Sequence, residues 1–242
     1  MRNSSWLRTR LWGMVLAGLS LCLVPLWAQN VVRVTADVDL SARDARCELQ
    51  YVLKNGKEPL KEIPVSAILY HGTGIVDLSA QDASGPLAVS GAATGDKYGA
   101  KIALAAPVAA GAEYRFGLSY GVTGAQAEKG RMSVSSAPLL HTPWRPVLSR
   151  QPAMSIRGVL PQGANLVWAS PRYLTAKPEA NRVVVTTTSP VLASYFRAEH
   201  TTGKVGFFTP RTTSIVAFFG SALALIVIWL FYAFGRGKRA KA

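Results

Sequence analysis

The sequence predicts an all-β protein: an antiparallel β-sandwich ectodomain, as one large or two closely packed lobes, followed by one C-terminal transmembrane helix. Three observations predict it. Apolar and polar residues alternate with period two along most of the chain, which is strand patterning. Clusters of Gly, Asn, Asp and Pro separate the alternating runs, and no amphipathic helix of three turns interrupts them between residues 30 and 213. The run Ile215–Phe234 then holds 20 uncharged residues, twelve of them Leu, Ile, Val or Phe, which suits a hydrocarbon core about 30 Å thick.

From the start of the chain, residues 1–28 read as a signal peptide or signal-anchor: Arg2, Arg8 and Arg10 precede an apolar stretch that Pro25 ends, with a cleavage site expected after Ala28. The first lobe, 29–135, opens with Val32, Val34, Ala36, Val38 and Leu40 alternating with Arg33, Thr35, Asp37 and Asp39. Cys47, Leu49, Tyr51 and Leu53 then share one strand face, with Asn55-Gly56 as the following turn. Ile63 to Leu69, Leu87–Ser90, Tyr98–Ala105, Tyr114 to Val122 and Met132–Ser135 continue the series. Residues 136–149 are a Pro-rich connection and a poor central strand. The second lobe, 150–208, carries strands at Met154–Leu160, Leu166–Ala169, Arg182–Thr188 and Val191–Arg197. Residues 199–214 read as a stalk, assigned most narrowly to 209–214. The span 215–234 and a basic cytoplasmic tail, 235–242, complete the chain.

In the span, Trp229 and Tyr232 sit where amphipathic rings suit the headgroup layer, and Ile215 opens it. Arg236, Lys238, Arg239 and Lys241 place the tail in the cytoplasm by the positive-inside rule. The expected location is therefore a bacterial inner membrane, single-pass, with the bulk of the chain periplasmic or extracellular. Small residues Ala217, Gly220, Ser221 and Ala224 would let a second helix approach.

The formal charge of +14 divides unevenly. Seven cations belong to the two ends, residues 29–113 carry −2, and residues 114–214 carry +9. A basic segment that close to the span would gain up to about 1 kcal/mol per Lys or Arg at an anionic bilayer, within a Debye length. No basic cluster is interleaved with aromatics, which argues against nucleic acid. Of two cysteines, Cys22 lies in the signal, so Cys47 is left as a buried small hydrophobe.

Tyr51-Val-Leu-Lys-Asn55, Leu60 and Ile63-Pro-Val65, then Leu104 and Ala110-Gly-Ala-Glu-Tyr-Arg-Phe-Gly-Leu-Ser-Tyr120, carry a family resemblance, as does Ile156-Arg-Gly-Val-Leu-Pro-Gln-Gly163. Over residues 45–168 the chain resembles the N-terminal β-saddle domain of zinc aminopeptidases. The resemblance implies a fold and no activity, because the peptidase domain and its zinc motif are absent from this sequence.

The residues themselves carry no catalytic constellation, so no enzyme activity and no cofactor or metal is expected. His71, His141 and His200 are far apart and none has a Cys or carboxylate at ligand spacing. There is no His-Glu-x-x-His and no Gly-x-Ser-x-Gly. Asp37 and Asp39 share a strand face but lack a ligand loop. The residues best suited to recognition are Trp144 and Arg145 on the proline-stiffened segment, with Arg150 and Arg157 beside it; Trp144 also suits a plug between the lobes. The function expected is a non-enzymatic binding or accessory module at a membrane surface, with a membrane or periplasmic protein as partner. Two alternatives stand: a surface-display or sorting substrate with a cleavable C-terminal anchor, and a carbohydrate-binding module or cryptic hydrolase.

Overall fold

A computed structural model describes residues 29–70, 72–129, 132–147, 152–171, 174–179, 182–203 and 210–239. The signal segment 1–28, His71, Arg150, Tyr173 and most of the 202–209 link fall outside them. Fifteen strands are described: β1 (Asn30–Asp39), β2 (Ala45–Lys54), β3 (Leu60–Ile68), β4 (Gly74–Asp82), β5 (Gly85–Thr94), β6 (Lys97–Val108), β7 (Glu113–Thr123), β8 (Gln126–Lys129), β9 (Met132–Pro138), β10 (Arg145–Pro146), β11 (Met154–Val159), β12 (Asn165–Ser170), β13 (Leu174–Glu179), β14 (Arg182–Ser189) and β15 (Tyr195–Thr201).

They form an 11-stranded sheet, ordered β13-β14-β11-β1-β2-β7-β4-β5-β6-β3 with β10 added to β1, and a four-stranded sheet ordered β12-β15-β9-β8. The protein is therefore mostly β, as expected, but the large sheet is mixed and not purely antiparallel. β1 pairs antiparallel with β2 and parallel with both β10 and β11. The cause lies in residues 139–147, which carry the chain back to the Asn30 end of β1 before β11 begins, so β11 enters in the direction of β1.

Alternation explains the packing. β2 buries Cys47, Leu49, Tyr51 and Leu53 on one face and turns Arg46, Glu48 and Gln50 outward, the pleat placing successive side chains on opposite faces. The inner faces of both sheets contribute to one core that includes Val34, Val38, Leu49, Phe116, Leu139, Ile156 and Phe196. The sheets approach closely where Phe196 of β15 lies against Gly158 of β11: a Cβ there would stand 2.2 Å from the ring. β11 and β14, placed by sequence in the second lobe, extend the same sheet as β1 and β2.

Three element readings change. The Pro-rich connection is not a plain linker: Ser136 to Pro138 finish β9, Leu139 and Leu140 are buried, and His141 bridges Ser66. The stalk begins later than residue 199, because Glu199 to Thr201 belong to β15 and His200 is buried. β4, β8, β10 and β13 were not expected as strands.

The C-terminal helix runs Pro210–Arg239, 30 residues, with proline at its first position, where a missing N–H costs nothing. Its side chains are described from 215 to 230. Among the described residues no helix is long and apolar enough to cross a membrane, so the transmembrane span expected at Ile215–Phe234 is not shown as such. What is shown is exposure: Phe218, Phe219, Leu225 and Trp229 are each about two-thirds exposed or more.

Candidate interaction surface

Residues 138–147 form a strap across the core, and its anchoring is built from tyrosines on the large sheet. Tyr120 of β7 donates its hydroxyl to the Pro138 carbonyl at 3.0 Å and accepts the Leu140 N–H at 3.2 Å. Tyr51 of β2 donates to the Leu140 carbonyl. Backbone bonds of 2.9 Å in both directions then join His141 to Ser66 of β3, and Val147 donates to Val31 of β1 at 2.8 Å. Three prolines in this stretch remove donors, and the tyrosine hydroxyls supply partners for its carbonyls. Burial pushes Tyr51 and Tyr120 up from the ordinary phenol value and the Cys47 thiol up to about 12, so these groups stay neutral and serve packing.

The strap positions two of the four residues singled out by sequence. Trp144 is half-buried and packs against the core. Arg145 is exposed and pairs through its backbone with Asn30. Arg157 sits elsewhere, in the middle of β11, where it contacts Asp37 of β1 at 3.2 Å and Glu179 of β13 at 3.4 Å. The Asp37 carboxylate raises its pKa, and Arg157 is thereby committed to neighbours within its own sheet. Arg150 lies outside the described residues. Of the three described, Arg157 therefore stands apart from Trp144 and Arg145. Of the membrane-anchor residues, Ile215 and Trp229 are exposed on the helix; Tyr232, Arg236, Lys238 and Arg239 lie in the helix, with side chains outside the described set.

The basic second half of the sequence is not a basic half in space. β11 and β14 lie beside β1 in the same sheet, and Arg145 stands at the Asn30 end of β1. The chain leaves at the other end: Ala193 N–H meets Met154 Sδ at 3.3 Å, Phe196 meets Gly158 further along β11, and β15 then runs on to Thr201. Arg145 is consequently separated from the exit toward the helix by roughly the length of β1, about 33 Å at 3.3 Å per residue.

A groove of about 520 Å³ on the outer face is lined by Asp37, Asp39, Arg157, Glu179 and Arg182 over Val159 and Val184. A second, of about 340 Å³, crosses Gly117 and Ser119 between Gln50 and Gln81; no aromatic residue lines either. Between the sheets, Ser135 Oγ and His200 Nε2 are 2.9 Å apart. His200 is 1 % exposed and its Nδ1 has no hydrogen-bond partner among the described residues. Burial lowers its pKa, and the pair is too enclosed to meet a substrate. Among the described residues no group of three or more His, Cys, Asp or Glu could hold a metal ion.

Sequence reading missed the hydroxyl roles of Tyr51 and Tyr120 and the Ser135–His200 pair. Their partners lie 89, 18 and 65 residues away, and only alternation, which put both tyrosines on inner faces, hinted at their placement.

No protein-family profile matches the chain, and no curated protein matches it. Solved structures do. An M1 zinc metallopeptidase from Deinococcus radiodurans matches at TM-score 0.44 and 14% identity, over 72% of this chain and 42% of that one. A variant of the same organism's enzyme bound to a Tyr-Ser-Ala substrate matches at TM-score 0.46 and 14% identity, over 72% and 42%. A candidate nutrient-binding protein from Legionella pneumophila matches at TM-score 0.46 and 11% identity, over 74% and 68%. The chain spans less than half the length of the metallopeptidases it matches, and the likeness is one of fold to part of those enzymes.

Proposed function

We propose that this chain is a membrane-held binding module: a β domain outside the cytoplasm, anchored through the Pro210–Arg239 helix, that engages a protein partner without catalysing a reaction. One observation carries the anchoring. From Ile215 to Leu230 the helix exposes large apolar side chains, including Phe218, Phe219, Leu223, Leu225, Ile226, Ile228 and Trp229, and none of them belongs to the β core. Contiguous apolar surface of that kind is unfavourable in water, at about 25 cal/mol per Å², and marks an apolar neighbour. In sequence the run continues to Phe234 before Arg236, so in our reading the helix is a single pass with the basic tail inside. A non-catalytic role fits an enclosed Ser135–His200 pair and an Arg157 held by its own sheet. Fractionating cells that express the full chain or a version lacking residues 210–242 tests the anchor. Full-length protein resisting alkaline extraction, with the shortened form released, supports it; a shortened form that remains equally membrane-bound defeats it.

A further inference from the structure

We propose that Arg33, Lys54 and Arg145, at the Asn30 end of β1, form a docking face for an acidic segment of a protein partner. The proposal rests on the partner-binding reading and names the surface and chemistry it would use. Strand register assembles the face. Asn30 stands opposite Lys54 of β2 on one side and Arg145 of β10 on the other, and Arg33, three residues further along β1, stands opposite Val52 after the irregularity at Val31/Arg33. Arg33, Lys54 and Arg145 are exposed, while neighbouring Val31 and Leu53 point into the core.

Their charge is uncompensated. Arg46, Lys101, Arg115, Arg157 and Arg197 each sit within ion-pair distance of a carboxylate. Among the described residues, Arg33, Lys54 and Arg145 have no such ion pair. The acid nearest in register, Glu113 opposite Lys54, is held by Arg115 at 2.8 Å. Three cations gathered beside one carboxylate that Arg115 already holds repel one another unless a further anion answers them. On the anchoring proposed above, lipid lies beyond the Thr201 end of β15, while this face lies at the Asn30 end of β1, so the anion that answers it is a protein segment. Exposed Val147, two residues beyond Arg145, adjoins the face on the strap, so the segment that fits is acidic with an apolar residue among its carboxylates.

Fluorescence anisotropy with a labelled Glu-rich hexapeptide carrying one central leucine, on full-length protein in uncharged detergent, tests this. Wild-type protein should bind the peptide, more weakly as salt is raised. R33E/K54E/R145E should weaken binding at least about tenfold, R145E alone by a smaller step, and R43E/R182E at the opposite end should leave it unchanged. Equal binding by wild type and R145E, or no binding by wild type, overturns the proposal. So does tighter binding to phosphatidylglycerol vesicles through the same three residues. Because the assay needs no membrane, its failure is separable from failure of the anchor, which fractionation reads independently.

Discussion

Tyr51 on β2 donates its hydroxyl to the carbonyl of Leu140 on the strap, 89 residues later in the chain, inside a region closed to water. Tyr120 makes the companion bond to Pro138. Together they fix a proline-rich segment that has few donors of its own, and they account for how a stretch with weak strand character becomes core.

Removing these hydroxyls should loosen the strap. Tyr51→Phe leaves the buried Leu140 carbonyl without its donor, which costs about 1–3 kcal/mol. Tyr120→Phe should cost a similar amount, through Pro138 and Leu140 together. Urea unfolding should show both losses, and limited proteolysis should detect faster cleavage near residues 141–151 in the double variant. Unchanged midpoints would mean the strap is held by its backbone bonds alone.

Gly158→Ala tests the contact between the sheets. The added methyl would meet Phe196 Cε1 at 2.2 Å and Cζ at 2.4 Å, an overpacking that costs about 1–3 kcal/mol. Trimming the ring with Phe196→Leu should recover part of the loss in the double variant. A double variant no more stable than additivity predicts would argue against a direct clash.

His200 predicts a pH dependence of known sign. Its pKa in the folded protein is lowered by burial, so the unfolded chain binds its proton more readily. Stability from this residue is complete above the ordinary value of about 6.5 and declines as pH falls through that value toward the folded one. Thermal midpoints recorded downward from neutrality should fall in wild type before carboxylates titrate. His200→Gln should flatten that limb. An identical slope in both proteins would remove His200 as the cause.

Cys47 should be silent toward thiol reagents. Its pKa is pushed up to about 12 by burial, and the thiolate is the reactive form. Labelling of Cys47 by iodoacetamide near neutral pH, read by peptide mapping, should be negligible in the native protein and prompt in urea. Fast labelling of folded protein would show that β2 opens locally.

Alternation made much of this architecture legible. Cys47, Leu49, Tyr51 and Leu53 fell on the core face as their spacing requires, because the strand period is two wherever one face is buried. β4 was not legible: its pairing with β7 breaks between Val76 and Ser79, and Asp77 takes a positive φ of 53° there, so its pattern slips partway along. β13 was hidden by Pro178 on an edge strand, where proline is tolerated. The candidate surface was less legible still. Arg145 stood out by its setting, but Arg33 and Lys54 join it only through strand register, and Arg157 is neutralised by Glu179, 22 residues away.

The parallel pairing of Ala36 with Ile156 has a consequence for how the chain is made. β1 precedes the other described strands in the chain, yet one of its two edges stays vacant until about 120 further residues have followed. β2 can cover the other edge early as a local hairpin, but the sheet cannot be completed in step with synthesis. The protein has a high contact order and folds in the slower range for its size. During that interval the newborn chain presents a central strand with one edge open, the state in which a guardian that shields exposed edges would be needed most.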